Sequence, residues 1–259
     1  MQIGMVGLGR MGANMARRLA RKGVRVAAHD LSPVARSALE QEIGVTPHAQ
    51  LTALVAALPA PRVVWVMLPS GEITEQALQT LAKLLAKGDV LVDGGNANYK
   101  DSRRRAAWLT EHGLGFVDAG VSGGVWGLDN GYALMLGGAK DAVATVHPFA
   151  RLLAPAPDRG WIHCGPAGSG HYVKMIHNGI EYAMMQAYAE GLSMMKAKAE
   201  FDLDLAAITE MWRHGSVVRS WLLDLTADFL KKGQSLESIS PVVADSGEGR
   251  WSAIEAIEL

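Results

Sequence analysis

Residues 2–12 read QIGMVGLGRMG: an apolar run from Gln2 to Val6, then Gly7, Gly9 and Gly12, then a segment with helical period. A GxGxxG pattern alone is weak evidence. Here a strand pattern precedes it, a helix pattern follows, and Asp30 ends the next apolar run, 18 residues past Gly12. In such a βαβ unit the first glycine permits the tight turn, the second lets the backbone approach a pyrophosphate, and the third lets helix pack on strand. The start of the helix offers unpaired N–H donors to the phosphates. The stretch predicts a dinucleotide site contacted by Gly7, Leu8, Gly9, Arg10, Met11 and Gly12, with Asp30 accepting from the ribose hydroxyls. Residues 31 and 32 are Leu and Ser, so no guanidinium adjoins Asp30 in sequence, and NAD is expected over NADP. Arg36 is the nearest arginine that could reach a 2′-phosphate.

Outward from that motif, short β-branched runs alternate with helical patterns, as in βαβ units on a parallel sheet. Strands are predicted at 2–6, 25–29, 63–67, 90–93, 115–119, 133–137 and 161–164, with helices near 10–22, 33–41, 72–86, 100–112 and 141–153. After CGPAGSG, residues 164–170, the alternation stops and the chain reads as helical at 171–199, 204–213 and 216–231. The fold class expected is an α/β Rossmann-type doubly wound sheet followed by an all-α domain. The dinucleotide-binding domain is placed at 1–165 and a helical substrate and oligomerisation domain at 166–259. The last residues, DSGEGRWSAIEAIEL, read as a loop entering a helix that has barely begun, so the helical domain is expected to be truncated.

Composition narrows the function classes. A chain of 259 residues with 49% hydrophobic and 20% charged residues suits a globular protein, and a formal net charge of −1 argues against nucleic acid or an anionic membrane as partner. Cys164 is the one cysteine, which excludes an intrachain disulfide and fits a reducing, cytoplasmic setting. No run approaches the length of a membrane span, and the N-terminus lacks a signal-peptide pattern. The histidines show no ligand spacing with carboxylates or Cys164, so no metal is expected.

Three further loops, MLPSGE (67–72), DGGNAN (93–98) and VSGGVWG (121–127), follow predicted strands and so lie at the edge where such sheets bind ligands. Leu68 and Pro69 are assigned to the cofactor. Asn96 can donate and accept to cofactor or polyol, and Ser122, Gly123 and Gly124 offer a hydroxyl and backbone N–H groups to a carboxylate. Beyond them, HYVKMIHNGIEY (171–182) places Lys174, His177, Asn178, Glu181 and Tyr182 at i, i+3, i+4, i+7 and i+8, one stripe of a helix. A solvated charged face is the plain alternative. The stripe also holds imidazole, amide and phenol, and apolar turns follow it, which favours a lysine base and a carboxylic acid tuned by burial in a cleft.

The stretch GPAGSGHYVKMIHNGIEY (165–182), together with GLGRMG, DGGNAN and VSGGVWG, resembles the 6-phosphogluconate dehydrogenases, the decarboxylating enzymes of the pentose phosphate pathway, and most closely their shorter, NAD-using bacterial form. The resemblance spans the chain in order. It implies Lys174 as general base and Glu181 as general acid. Substrate contacts are implied at Asn96, Ser122, Gly123, Gly124, His177 and Asn178, and phosphate contacts at Tyr182 and at Arg250 in GEGRW. It further implies oxidation at C3, loss of CO2 from the 3-keto acid and protonation to ribulose 5-phosphate without a metal. The family continues past position 259, with a further phosphate-binding arginine. Two alternatives remain open at this point: a β-hydroxyacid dehydrogenase of the 3-hydroxyisobutyrate type, whose helix reads KxxNN, and a non-catalytic dinucleotide sensor. Apolar Met- and Leu-rich segments in the helical half point to a homodimer or homotetramer.

Overall fold

The computed structural model describes residues 1–234 and 239–259. These form two compact units, Met1–Met175 and Ile176–Leu259. The first unit is built on eight strands: β1 Gln2–Val6, β2 Arg25–His29, β3 Val45–His48, β4 Val63–Val66, β5 Val90–Asp93, β6 Gly115–Ser122, β7 Ala133–Gly138 and β8 Trp161–Gly165. In space they run β3, β2, β1, β4, β5, β6, β7, β8. All neighbours pair in parallel except β6 and β7, which are antiparallel with Ala119 opposite Leu136. The strand order reverses between β1 and β4, and the carboxyl ends that part there leave a crevice for a ligand.

Side-chain alternation sorts each strand onto two cores. On β4, Val63 and Trp65 join Ile3 and Met5 under α1 (Arg10–Arg21) and α7 (Lys140–Leu153), while Val64 and Val66 join Val6 under α3 (Leu51–Ala56), α4 (Glu72–Leu84) and α5 (Tyr99–Glu111). Because both faces are covered, the strands read as continuous apolar runs. Short elements in this unit include α2 (Pro33–Ser37), whose N-cap is the Ser32 hydroxyl accepting from Ala35 N–H, a 3-10 turn at Gly124–Trp126, and α6 (Gly127–Asn130).

The sequence expectation differs from this unit in several places, among them helix α3, where no helix was expected, and the antiparallel direction of β7. The edge strand β3 (VTPH) was not foreseen. It pairs on one side only, with β2, and carries Pro47, which edge strands tolerate. Strand β6 runs on to Ser122, because residues 117–122 find antiparallel partners on β7. The helix expected at 33–41 ends at Ser37.

Helix α8 spans Ser169–Ala197. Its first turns pack on the sheet, where Gly170 lies so close that an added Cβ would stand 2.4 Å from the Met135 carbonyl oxygen. The two compact units part after Met175, because these first turns of α8 pack with the sheet. The second unit continues with α9 (Leu205–Trp212), α10 (Trp221–Leu230) and α11 (Glu248–Glu258). Asp204 caps α9 through Ala206 and Ala207 N–H, and Ser220 caps α10 through Leu223 N–H. Leu205 and Thr209 of α9 and Leu223, Ala227 and Leu230 of α10 are buried, and Arg213 bonds Glu210, Asp224 and Asp228 around them.

Candidate active site

A cavity of about 480 Å³ opens at the switch point of the first unit, lined by Gly7, Gly9, Arg10, Met11, Gly12, Asp30, Met67, Leu68, Pro69, Gly94, Gly95, Asn96, Val121 and Lys174. The three glycines of the opening motif have separate tasks there. Gly7 has φ +92°, a left-handed turn that an L side chain would strain. At Gly9 an added Cβ meets nothing within 4 Å, so this backbone faces open space where a ligand can approach. At Gly12 the same Cβ would stand 1.9 Å from the Gly7 carbonyl oxygen, which shows how closely α1 lies on the end of β1. Helix α1 has no side-chain cap and no acidic residue in its first turn, so its N-terminal dipole and donors face the cavity without a competing anion of their own.

Asp30 closes one end. Its carboxylate accepts from Leu8 N–H at 2.7 Å and from Ser32 N–H at 2.8 Å, which fixes its rotamer with lone pairs still directed at the cavity. Arg36 bonds the carbonyl oxygens of Asp30 (2.7 Å) and Leu31 (3.1 Å), not the Asp30 carboxylate. Open backbone at Gly9, a bare helix start and an oriented acceptor at the end of β2 together fit a dinucleotide: pyrophosphate against α1, ribose hydroxyls on Asp30.

The other end is braced from below. Asp93, at the end of β5, is fully buried, and its Oδ2 accepts from Arg105 Nη1 at 2.6 Å. Arg105 Nε also donates to Glu75 on α4 at 2.6 Å, and Arg104 reaches the same Glu75 oxygen at 2.6 Å. Burial opposes the charge on Glu75, but hydrogen bonds from Arg104 and Arg105 outweigh it and hold the carboxyl below its usual range. Gly95 N–H meets Asp93 Oδ1 at 3.3 Å, and a Cβ on Gly95 would stand 2.4 Å from the Leu68 carbonyl oxygen. The ion cluster thus fixes the turn that presents Asn96 to the cavity. Lys174, on the second turn of α8, enters from the far wall.

In the second unit, His177 Nδ1 lies 3.0 Å from Asn178 Oδ1 and 3.7 Å from Glu181 Oε2. The Tyr182 hydroxyl lies 3.0 Å from Ser246 Oγ, and Gly249 packs on the Tyr182 ring. Arg250 pairs with Asp245, its Nη2 3.0 Å from Oδ2. The Gly247 N–H, then Arg250, hold the Asp245 carboxyl below its usual range.

Residues 2–159 match the NAD binding domain of 6-phosphogluconate dehydrogenase, and residues 170–259 match the 6-phosphogluconate dehydrogenase C-terminal domain. The chain belongs to the 6-phosphogluconate dehydrogenase family. It is 40% identical over 259 residues to the NAD(+)-dependent, decarboxylating 6-phosphogluconate dehydrogenase of Haloferax volcanii, covering 100% of this chain and 85% of that protein. The 6-phosphogluconate dehydrogenase of Plasmodium falciparum, solved in its apo form and in complex with NADP+ and with 6-phosphogluconate, superposes with a TM-score of 0.89 at 30% identity, over 100% of this chain and 58% of that one. A 3-hydroxyisobutyrate dehydrogenase from Salmonella typhimurium shares the fold, with a TM-score of 0.81 at 22% identity over 100% of this chain and 87% of its own. Membership makes this chain an NAD(P)-dependent oxidoreductase with a nicotinamide cofactor. Among the described residues no helix is long and apolar enough to cross a membrane.

Of the family positions read from sequence, Gly7, Gly9, Arg10, Met11, Gly12, Asp30, Leu68, Pro69, Asn96 and Lys174 meet around this cavity. Leu8 does not line it. Its side chain is in the core and its N–H serves Asp30. Ser122, Gly123 and Gly124 lie just beyond the lining, with Val121 in the wall. Glu181, His177, Asn178, Tyr182 and Arg250 all stand in the second unit. Ser246, beside Tyr182, was not foreseen, because a lone serine in a glycine-rich loop carries no spacing signal. Nor was Asp118, which reads as one polar residue within an apolar strand.

Proposed function

We propose that this protein oxidatively decarboxylates 6-phosphogluconate to ribulose 5-phosphate with NAD. The observation that carries the reading is that Lys174 lines the same cavity as the glycine turn, Asp30 and Asn96. A base for the substrate hydroxyl and a cradle for a dinucleotide thus share one cavity. Bound nicotinamide supplies the hydride acceptor. Lys174 takes the hydroxyl proton as C3 is oxidised. The product is a β-keto acid, which loses CO2 readily because the new ketone takes up the electrons. The ammonium of Lys174 then stabilises the developing oxyanion. Glu181 delivers a proton to the enediol carbon, and a plain alcohol oxidation has no use for that second acid.

His177, Asn178 and Asn96 are assigned to substrate hydroxyls and Ser122, Gly123 and Gly124 to its carboxylate. Tyr182 and Arg250 are assigned to the phosphate, for which an arginine fork suits the ester oxygens once it leaves Asp245. The carboxylate of Asp30 favours NAD over NADP by repelling a 2′-phosphate. Exposed Ile180, Met184, Met185 and Met194 on α8 support a homodimer or homotetramer.

The test is an assay with NAD on 6-phosphogluconate and on 3-hydroxyisobutyrate, following NADH and CO2 together. Equal NADH and CO2 from the first and little from the second is the expected result. NADH without CO2, or turnover of Lys174→Ala within a few-fold of wild type, would end the proposal. Light scattering that finds a monomer at micromolar concentration would end the oligomer assignment.

A further inference from the structure

Helix α8 begins without a cap of its own. Tyr172 N–H bonds the Gly168 carbonyl oxygen at 2.9 Å, which makes Gly168 the capping position. Gly168 has φ +94°, and a Cβ there would lie 2.7 Å from Arg103 Cγ and 3.1 Å from the Tyr99 carbonyl oxygen. The position excludes the serine, threonine or aspartate that usually caps a helix. The neighbouring Ser169 hydroxyl is buried and has no hydrogen-bond partner, so it does not cap either.

Asp118 of β6 fills that place from outside the helix. It is fully buried, its Oδ1 accepts from Gly168 N–H at 2.6 Å, and its Oδ2 accepts from His171 N–H at 2.8 Å. Burial pushes its carboxyl up, while His171 and the two N–H groups act the other way. Only a carboxylate accepts on both oxygens; an asparagine would turn an NH2 toward one of the donors.

The contact surface is bare backbone. A Cβ on Gly137 would stand 2.6 Å from both Asp118 Oδ1 and Gly170 N, and a Cβ on Gly120, two residues along β6 from Asp118, would stand 2.5 Å from Lys174 Cβ. His171 Nδ1 is also tied to Ser102 Oγ of α5 at 2.7 Å. Sheet and helix therefore touch at both ends of a segment two turns long, at Asp118 with Gly168 and His171, and at Gly120 with Lys174.

We infer that Asp118 is a positioning residue for Lys174: its carboxylate, capping α8 from the neighbouring strand, sets the height and rotation at which the lysine amine enters the cavity. The inference rests on the reading of Lys174 as the base. A shift of about 1 Å in a reacting group costs on the order of 100-fold in rate, so Asp118→Asn is expected to lower kcat for 6-phosphogluconate by about 30- to 100-fold. The NAD Kd, set by Gly7 to Gly12 and Asp30, stays within about threefold of wild type.

The discriminating measurement is a double-mutant cycle, because residues acting through one group are not additive. In a Lys174→Ala background, Asp118→Asn should lower the residual NADH production by less than about threefold. An equal loss in both backgrounds, or a kcat of Asp118→Asn within threefold of wild type, overturns the inference. If Asp118→Asn does not fold, or the residual turnover of Lys174→Ala is below detection, Gly120→Ala decides. Its methyl group displaces Lys174 directly and should lower kcat with NAD affinity kept; wild-type kcat there overturns the inference. Lys174→Ala at near wild-type rate would instead remove the proposed base, a separate failure.

Discussion

Replacing Arg105 by methionine isolates what the buried ion cluster contributes. The Arg105 side chain is 1% exposed and spans Asp93 and Glu75 at 2.6 Å each. Methionine fills much of the same space but leaves the buried Asp93 carboxylate with Gly95 N–H, at 3.3 Å, as its remaining bond from this cluster. Glu75 is 19% exposed and keeps Arg104, so its loss is small. Breaking a buried pair in this way costs about 3–5 kcal/mol. Urea unfolding of wild type and variant at pH 7 measures this, and adding Asp93→Asn should restore most of the loss, because the amide leaves no buried charge without its partner. A deficit below about 1 kcal/mol, or no recovery on adding Asp93→Asn, would refute the reasoning. Arg159→Met, which breaks the exposed pair with Asp158, is the control and should leave the unfolding midpoint unchanged.

Gly12→Ala should abolish NAD binding at millimolar cofactor, since its methyl would stand against the Gly7 carbonyl oxygen and lift α1 from β1; fluorescence titration that finds near wild-type affinity would contradict the packing described. Asp30→Ser should lower kcat/KM for NAD by about 10- to 100-fold, the loss of one to two charge-assisted hydrogen bonds, and raise the NADP to NAD ratio. An unchanged ratio would remove Asp30 as the selector. Glu75 has a depressed carboxyl, so its contribution is present above the unfolded carboxyl value and lost as pH falls through the folded one. Glu75→Gln should accordingly flatten the acid limb of the stability profile below about pH 4.5, and an acid limb as steep as that of wild type would argue against this. Burial pushes the Tyr132 hydroxyl up to about 12, and that hydroxyl has no hydrogen-bond partner. Tyr132→Phe should therefore be neutral or stabilising in thermal unfolding, and a loss above about 1 kcal/mol would show a bond not described above.

The dinucleotide half was legible because its tasks are local. Gly7, Gly9 and Gly12 act within one turn, and Asp30 acts at the end of the next strand, so spacing along the chain stands for distance in space. Strand β3 was hidden because an edge strand needs only one paired side, and its proline breaks the β-branched run that marks the others. The antiparallel turn of β7 was equally hidden, since a buried strand has the same apolar pattern in either direction. Lys174 was legible through helical period. Asp118 was not, because its partners lie 50 and 53 residues away and its task is to replace a cap that Gly168 has no room for.

Asp30 has a further consequence for how this protein can change. Its two oxygens join the turn after β1 to the turn after β2, so the residue proposed to select the cofactor is also the clasp between two loops. A lineage drifting toward the phosphorylated cofactor would lose that clasp in the same step that removed the repulsive charge. The path is therefore stepped: a second tether near Leu8 or Ser32 has to arise first, or the intermediate enzyme holds both cofactors poorly.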